Sequence, residues 1–454
     1  MDSKMSEAGP EITPSTSPGR ARAARLSRRA FVAGTAVAGV AAASASVAFA
    51  DHVRETPTPK RPAPEEFEGF FSAEEVELAF RNYGHIAETL NLPITPLANH
   101  YVLLHFDVPQ LSAEDYQIII GGRVNQQLRL SLADLQTREN VTMPVIMECA
   151  GTGRSYQTPR AIYVPWFKEA IGNYEWTGTP LAPLLEEAGL LNDAVEVLFT
   201  GWDKGIDLGV EHAFERALPV EDAMHPEVML AWAANGQPLL PQHGFPLRLI
   251  VPTWYGMASV KFLRAITVLN QPFQGVEQQQ VYRYQKKGLP LDDPGEPVNR
   301  KRVHSVMKPP GLPDLITRHR FVAPGEVVLE GKAWSAGIPI TRVQVSTDSL
   351  GTWADAEVLP PVGPFSWTPW RYTWMPEVGE TMLACRATDA EGNIQPLEGN
   401  DLWNRQSMGS VAVQRIRVTV QNDVGSAGDS VPSTPRLAVQ GARMPPFPNF
   451  TVAP

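Results

Sequence analysis

Cysteine is nearly absent from this chain: Cys149 and Cys385 are the only two in 454 residues. Two thiols make at most one disulfide, so a disulfide framework is excluded, as is a zinc site built on paired cysteines. No C-x-x-C-H run exists for covalent haem, and no other haem, flavin or iron–sulfur segment is recognisable. No G-x-G-x-x-G follows a strand-like run, which disfavours a Rossmann domain. Charged residues are few, at 19%, and the balance is acidic, −10 overall. The first 50 residues hold six basic and three acidic side chains, so the remainder carries −13. Such a body repels phosphate backbones, making nucleic acid an unsuitable partner, and it attracts basic proteins. Beyond residue 50 no apolar run is long enough to cross a bilayer.

What is present begins with an export pattern. Arg28-Arg29 stands in a twin-arginine n-region, followed by the uncharged apolar stretch Phe31 to Phe49 and an Ala48-Phe49-Ala50 cleavage site. Residues 1–50 are therefore expected to be a twin-arginine signal, directing the chain to the periplasm or another extracytoplasmic space. A weak membrane anchor is the competing reading. Proline is abundant, at 42 residues. It helps to mark residues 51–66 as a charged linker, and with Gly and Ser it marks 422–454 as a flexible tail.

Two bodies are expected between these ends, giving an α+β chain. Residues 67–299 mix elements. Ala73 to Phe80 has helical spacing, while Tyr116 to Gly121, Val195 to Phe199 and Leu247 to Val251 read as strands. Thr179 to Ala188 is expected to be a helix capped by Thr179, with Pro180 just inside and Gly189 as its stop. Residues 300–421 alternate apolar and polar side chains in short runs, such as Arg342 to Ser346 and Arg415 to Val420, separated by turns at 348–351 and 389–393. That is the pattern of an immunoglobulin-like sandwich. Cys385 falls inside one such strand and Cys149 in the first body, so either one disulfide or two separate fates remains open.

Cys149 lies in Met147-Glu148-Cys149-Ala150-Gly151-Thr152-Gly153-Arg154. A thiolate is a soft metal ligand, yet one cysteine cannot complete a metal site. The remaining ligands would have to come from an organic cofactor. Gly151 and Gly153 are expected to let the backbone approach such a group, and Arg154 to place a positive charge beside it.

This motif resembles the C-A-G-N segment of the sulfite oxidase family. His243-Gly244-Phe245-Pro246-Leu247-Arg248 is similar to the family's H-G-F-P-x-R, and Tyr255 to Lys261 to its Y-G-x-x-S-V-K. Asp348 to Trp353 and Arg386-Ala387-Thr388-Asp389 resemble segments of that family's dimerisation domain. The likeness runs in order over roughly residues 95–420. It implies an oxo-transfer enzyme with one molybdenum–molybdopterin and no haem, its metal held by Cys149. It further implies pterin and phosphate contacts from His105, Asp203, His243, Arg248, Ser259, Val260 and Lys261, a pocket lined by Arg154 and Trp166, and homodimerisation. Arg405 would reach in from the sandwich, a surface ion pair being the alternative; for Asp203 the alternative is capping a turn.

One departure bears on substrate. The family's F-x-R-N-H stands here as Tyr101-Val102-Leu103-Leu104-His105. Losing the guanidinium removes a charge-assisted contact of roughly 1.5–3 kcal/mol. The expected reaction is oxidation of a sulfur oxyanion, sulfite to sulfate, with electrons leaving to a separate cytochrome c. A sulfane dehydrogenase subunit of a thiosulfate-oxidising system, or a cofactor-free secreted scaffold, are the alternatives.

Overall fold

The computed structural model describes residues 72–290, 292–422 and 424. The expected signal and linker, and the tail apart from residues 422 and 424, lie outside the described residues. Within them the α+β expectation holds, with sheet predominating.

The first body is built on two sheets. One orders its strands Leu128–Ser131, Gln117–Gly122, Leu263–Leu269, Glu196–Asp207, Val210–Pro219. The Gln117–Gly122 and Leu263–Leu269 strands pair in parallel, while every other contact in that sheet is antiparallel. The other sheet runs Val141–Glu148, Ile171–Pro180, Met229–Ala234, Gln237–Pro238, with Arg248–Ile250 paired to Met229–Ala234. Helices are short. Ser131 caps Leu132–Gln136 through a capping box with Asp134.

The expected helix from Thr179 starts later than its residues imply. Thr179 and Pro180 complete the strand Ile171–Pro180, where Thr179 pairs with Leu230, and the helix is Ala182–Ala188 with no side-chain cap. Cross-strand pairing of a buried threonine outweighs its capping preference. The Gly189 stop holds, in a left-handed conformation.

The second body is a sandwich of a four-stranded sheet, containing Val327–Trp334 and Thr368–Trp374, and a six-stranded sheet, containing Ile340–Ser346, Gly379–Asp389 and Gln414–Val420. Cys385 sits fully buried in that core beside Val345 and Leu383. Cys149 and Cys385 are both free thiols, which overturns the disulfide reading.

The two bodies interlock. Trp334 and Trp367 of the sandwich pack with Ile146 and Ile171 of the first body. Residues 404–413, leading into the last sandwich strand, run back over the Cys149 turn. The Gly409 N–H donates to the Ala150 carbonyl at 2.6 Å, and Met408 joins the first body's core. Lys301 ties the boundary by donating through Nζ to the Ile146 carbonyl at 3.0 Å.

Candidate active site

Cys149 follows directly on the strand Val141–Glu148, so a fixed sheet edge sets its position. A tight turn carries the chain away, with the Thr152 N–H donating to the Cys149 carbonyl at 3.0 Å and the Gly151 N–H facing Sγ at 3.4 Å. Burial pushes the thiol pKa up, while the Arg154 guanidinium and that N–H pull it back.

Both glycines are required by the protein's own packing, and Gly151 also lines the outer cavity. Gly153 has φ 82°, and a Cβ there would run into the Ser410 carbonyl of the crossing segment. A Cβ on Gly151 would meet the Arg154 guanidinium, which lies over it. Arg154 is buried, donating through Nη1 to the Val164 carbonyl at 2.7 Å and through Nη2 toward Met408 Sδ at 3.6 Å.

Two cavities meet at Cys149, sharing Leu103, His105, Cys149 and Tyr282 as walls. The inner one is narrow, about 50 Å³, so a bulky ligand seats there only with side-chain movement. It gathers His100, Asp203, His243, Arg248, Ser259 and Lys261 from distant parts of the chain. Arg248 donates to the His243 carbonyl at 2.8 Å and the Ser259 carbonyl at 2.9 Å, and its guanidinium carbon lies 4.9 Å from the Trp176 ring centre. Lys261 Nζ donates to the Leu103 carbonyl at 2.8 Å. Val260 is not a wall residue; its carbonyl accepts from the Leu249 N–H at 2.8 Å and so holds the segment in place.

Several buried polar atoms here have no hydrogen-bond partner: Nε2 of His100 and of His243, Nε of Arg248 and of Arg154, and Oδ1 of Asp203. Leaving such groups unpaired costs about 1–3 kcal/mol each. In the inner cavity the Arg248 guanidinium and the Lys261 amine converge on one cleft, where they suit an anionic cofactor. Asp203 Oδ1 and His100 Nε2, whose ring donates through Nδ1 to the Tyr101 carbonyl, stand ready to accept hydrogen bonds from it. Burial, reinforced by Arg248 and Lys261, lowers the His243 pKa to about 3, so its imidazole is neutral at ordinary pH. Burial also works against charge on Asp203 and Lys261, each partly offset by the other. The residues present thus fit a pterin phosphate.

The outer cavity, about 290 Å³, holds Leu104, Arg154 and Trp166. Leu103 and Leu104 do face the site, as their place in the motif predicts. Arg405 is a wall of neither cavity; Met408, three residues on, takes that position. Sequence reasoning missed His100, although it adjoins the Tyr101 motif. It also missed Tyr282, whose hydroxyl lies 2.6 Å from His105 Nε2. No spacing around Tyr282 signals its role.

Residues 105–277 match the oxidoreductase molybdopterin binding domain and 297–421 the Mo-co oxidoreductase dimerisation domain. Mitochondrial sulfite oxidase of Homo sapiens is 33% identical over 344 residues, 72% of this chain and 62% of that protein. Sulfite oxidase of Gallus gallus is 31% identical over 71% of this chain and 72% of its own. NADH nitrate reductase 1 of Arabidopsis thaliana is 29% identical, with 38% of its length covered. Among solved structures, the sulfane dehydrogenase SoxCD of Paracoccus pantotrophus superposes with a TM-score of 0.62 at 24% identity, over 82% of this chain and 97% of that one.

Proposed function

The chain belongs to the sulfite oxidase family of molybdopterin oxidoreductases, and from that premise we propose that it is an exported enzyme transferring oxygen to a sulfur-centred substrate. Sulfite is the reference substrate. In the balance the sulfur gains one oxygen from water, and two protons and two electrons leave. The electrons pass singly to a separate cytochrome c, which the acidic body attracts if the cytochrome is basic. The sandwich body would carry the homodimer contact.

The observation that carries this reading is the position of Cys149 Sγ where the polar inner cavity meets the outer one. When bound, the molybdenum cofactor supplies the two-electron redox couple and the site of oxo exchange. Cys149 would hold the metal, and Arg248, Lys261, His243, His100 and Ser259 the pterin and its phosphate, with Asp203 accepting from the ring. On the other side Arg154 and Trp166 orient the substrate. Tyr282, steadied by His105, offers a hydroxyl that can donate to a substrate oxygen or relay a proton at Oη.

Molybdenum content and steady-state oxidation of sulfite with cytochrome c test the proposal. Metal far below one per chain favours the cofactor-free scaffold, a reading that leaves the unpartnered buried polar atoms of the inner cavity without explanation. Full metal with negligible sulfite turnover favours the sulfane dehydrogenase reading, which Leu103 and Leu104 on the cavity wall support.

A further inference from the structure

The outer cavity has the wrong charge for a small dianion. Among its described wall residues Arg154 is the one side chain that is cationic at neutral pH, since burial lowers the His105 pKa to about 3. Arg154 is already engaged by Val164 and Met408, and its guanidinium carbon lies 5.2 Å from the Tyr163 ring centre. Against it stand the carboxyl groups of Glu74 and Asp207, and that of Glu277, which burial raises to a pKa of about 7 so that its charge is only partial, with Oε1 3.4 Å from His212 Nε2. Glu277 is 1% exposed, and its Oε2 is buried without a hydrogen-bond partner. It is brought to the wall by a single π-type turn, Glu277–Val281, a local irregularity of the kind found at functional sites.

The rest of the wall is apolar. Leu103 and Leu104 occupy the places where the family motif has arginine and asparagine. Ile162 and Ile206 also line the cavity and are strongly solvent-exposed, so apolar surface continues outward from it. A sulfite ion entering here meets net negative charge and gives up hydration to isobutyl groups, both unfavourable. An organic molecule with an apolar body loses nothing by entering and buries surface at about 25 cal/mol per Å².

We propose that the outer cavity selects an organosulfur substrate with an apolar body and no negative charge, presenting its sulfur toward Cys149. This rests on the oxo-transfer reading above. The sulfur of a thioether would gain one oxygen from water to become a sulfoxide, with two protons released and two electrons passed to the same one-electron haem acceptor.

Calorimetric titration of the purified holoenzyme at low ionic strength tests it, with methyl phenyl sulfoxide as the uncharged probe and sulfate as the dianion. The expected result is at least tenfold tighter binding of the sulfoxide. Leu104→Arg combined with Glu277→Gln should reverse that order. Tighter binding of sulfate to the wild-type protein overturns the inference, whether or not the variant folds. The cavity wall is made by the protein alone, so the two readings fail separately. A metal-free preparation that still prefers the sulfoxide overturns the enzyme proposal and upholds the selectivity. A molybdenum-loaded preparation that prefers sulfate does the reverse.

Discussion

Glu148, the residue before the site cysteine, is joined through Oε1 to His304 Nδ1 of the sandwich at 2.6 Å, with both side chains fully buried. Trp334 donates to the other carboxylate oxygen at 2.8 Å, and Lys168 Nζ lies 3.0 Å from His304 Nε2. Burial and Lys168 lower the His304 pKa to about 4, leaving a neutral ring that donates to Glu148 and accepts from Lys168. This network fastens the Cys149 turn to the second body.

Glu148→Ala should therefore loosen the Cys149 turn as well as the fold. It leaves His304 and Trp334 without an acceptor, at a cost of about 1–3 kcal/mol for each orphaned donor. The expected outcome is a lower melting temperature and reduced molybdenum retention. Glu148→Gln, which keeps an acceptor, should lose less of both. Unchanged metal content in Glu148→Ala would show that the network is only structural.

The two thiols should behave independently. Ellman titration is expected to find neither thiol reactive in the native protein and both in denaturant, without added reductant. Cys149→Ser should abolish metal retention and cut activity by more than 100-fold. Cys385→Ala should lower stability by about 1–2 kcal/mol through lost core volume while retaining the metal. A single disulfide detected by mass spectrometry would contradict the structure.

Tyr282→Phe removes the hydroxyl near His105 without altering ring packing. If Oη donates to the reacting oxygen, kcat should fall about 10- to 100-fold, roughly 1.4–2.8 kcal/mol of barrier. Molybdenum content should stay constant. An unaffected kcat would assign the hydroxyl to packing alone.

Acid should destabilise the protein through its buried histidines. Burial lowers the pKa of His85 from 6.5 to about 4. Between those values the unfolded ring binds a proton that the folded ring does not, so stability falls as pH drops through this window. The displacement corresponds to at most about 3 kcal/mol. The raised pKa values of Asp203 and Glu277 oppose this, because their folded forms take up protons first. His85→Gln should flatten the melting temperature against pH between 6.5 and 4. An unchanged slope would exclude His85 as a contributor.

Gly153→Ala forces a side chain into left-handed backbone and against the Ser410 carbonyl. Thermal denaturation should register a loss of about 1–3 kcal/mol. A wild-type melting curve would mean that the crossing segment yields.

The chain's family, its two-body order and most members of the inner cavity were legible in the residues themselves. Motifs such as His243 to Arg248 are continuous in sequence, and strand alternation follows from a period of two. Less legible were features that tertiary contacts decide against local pattern. Thr179 has the composition of a helix cap, yet pairing with Leu230 draws it into a strand. Arg405 and Met408 stand three residues apart in a loop without periodicity, so local pattern cannot say which one turns inward.

By itself the sequence determined the isolated cysteine of the Cys149 motif, the cationic residues of the inner cavity and the loss of two polar residues at Leu103-Leu104. Residue identity is enough to decide each of these. Only the tertiary structure decided that Gly153 yields to Ser410, that His304 secures Glu148, and that Glu277 shares a wall with Arg154. Those relations join positions more than 100 residues apart: the packing of one body on the other brings the first two together and the first body's own tertiary fold the third, rather than any local preference.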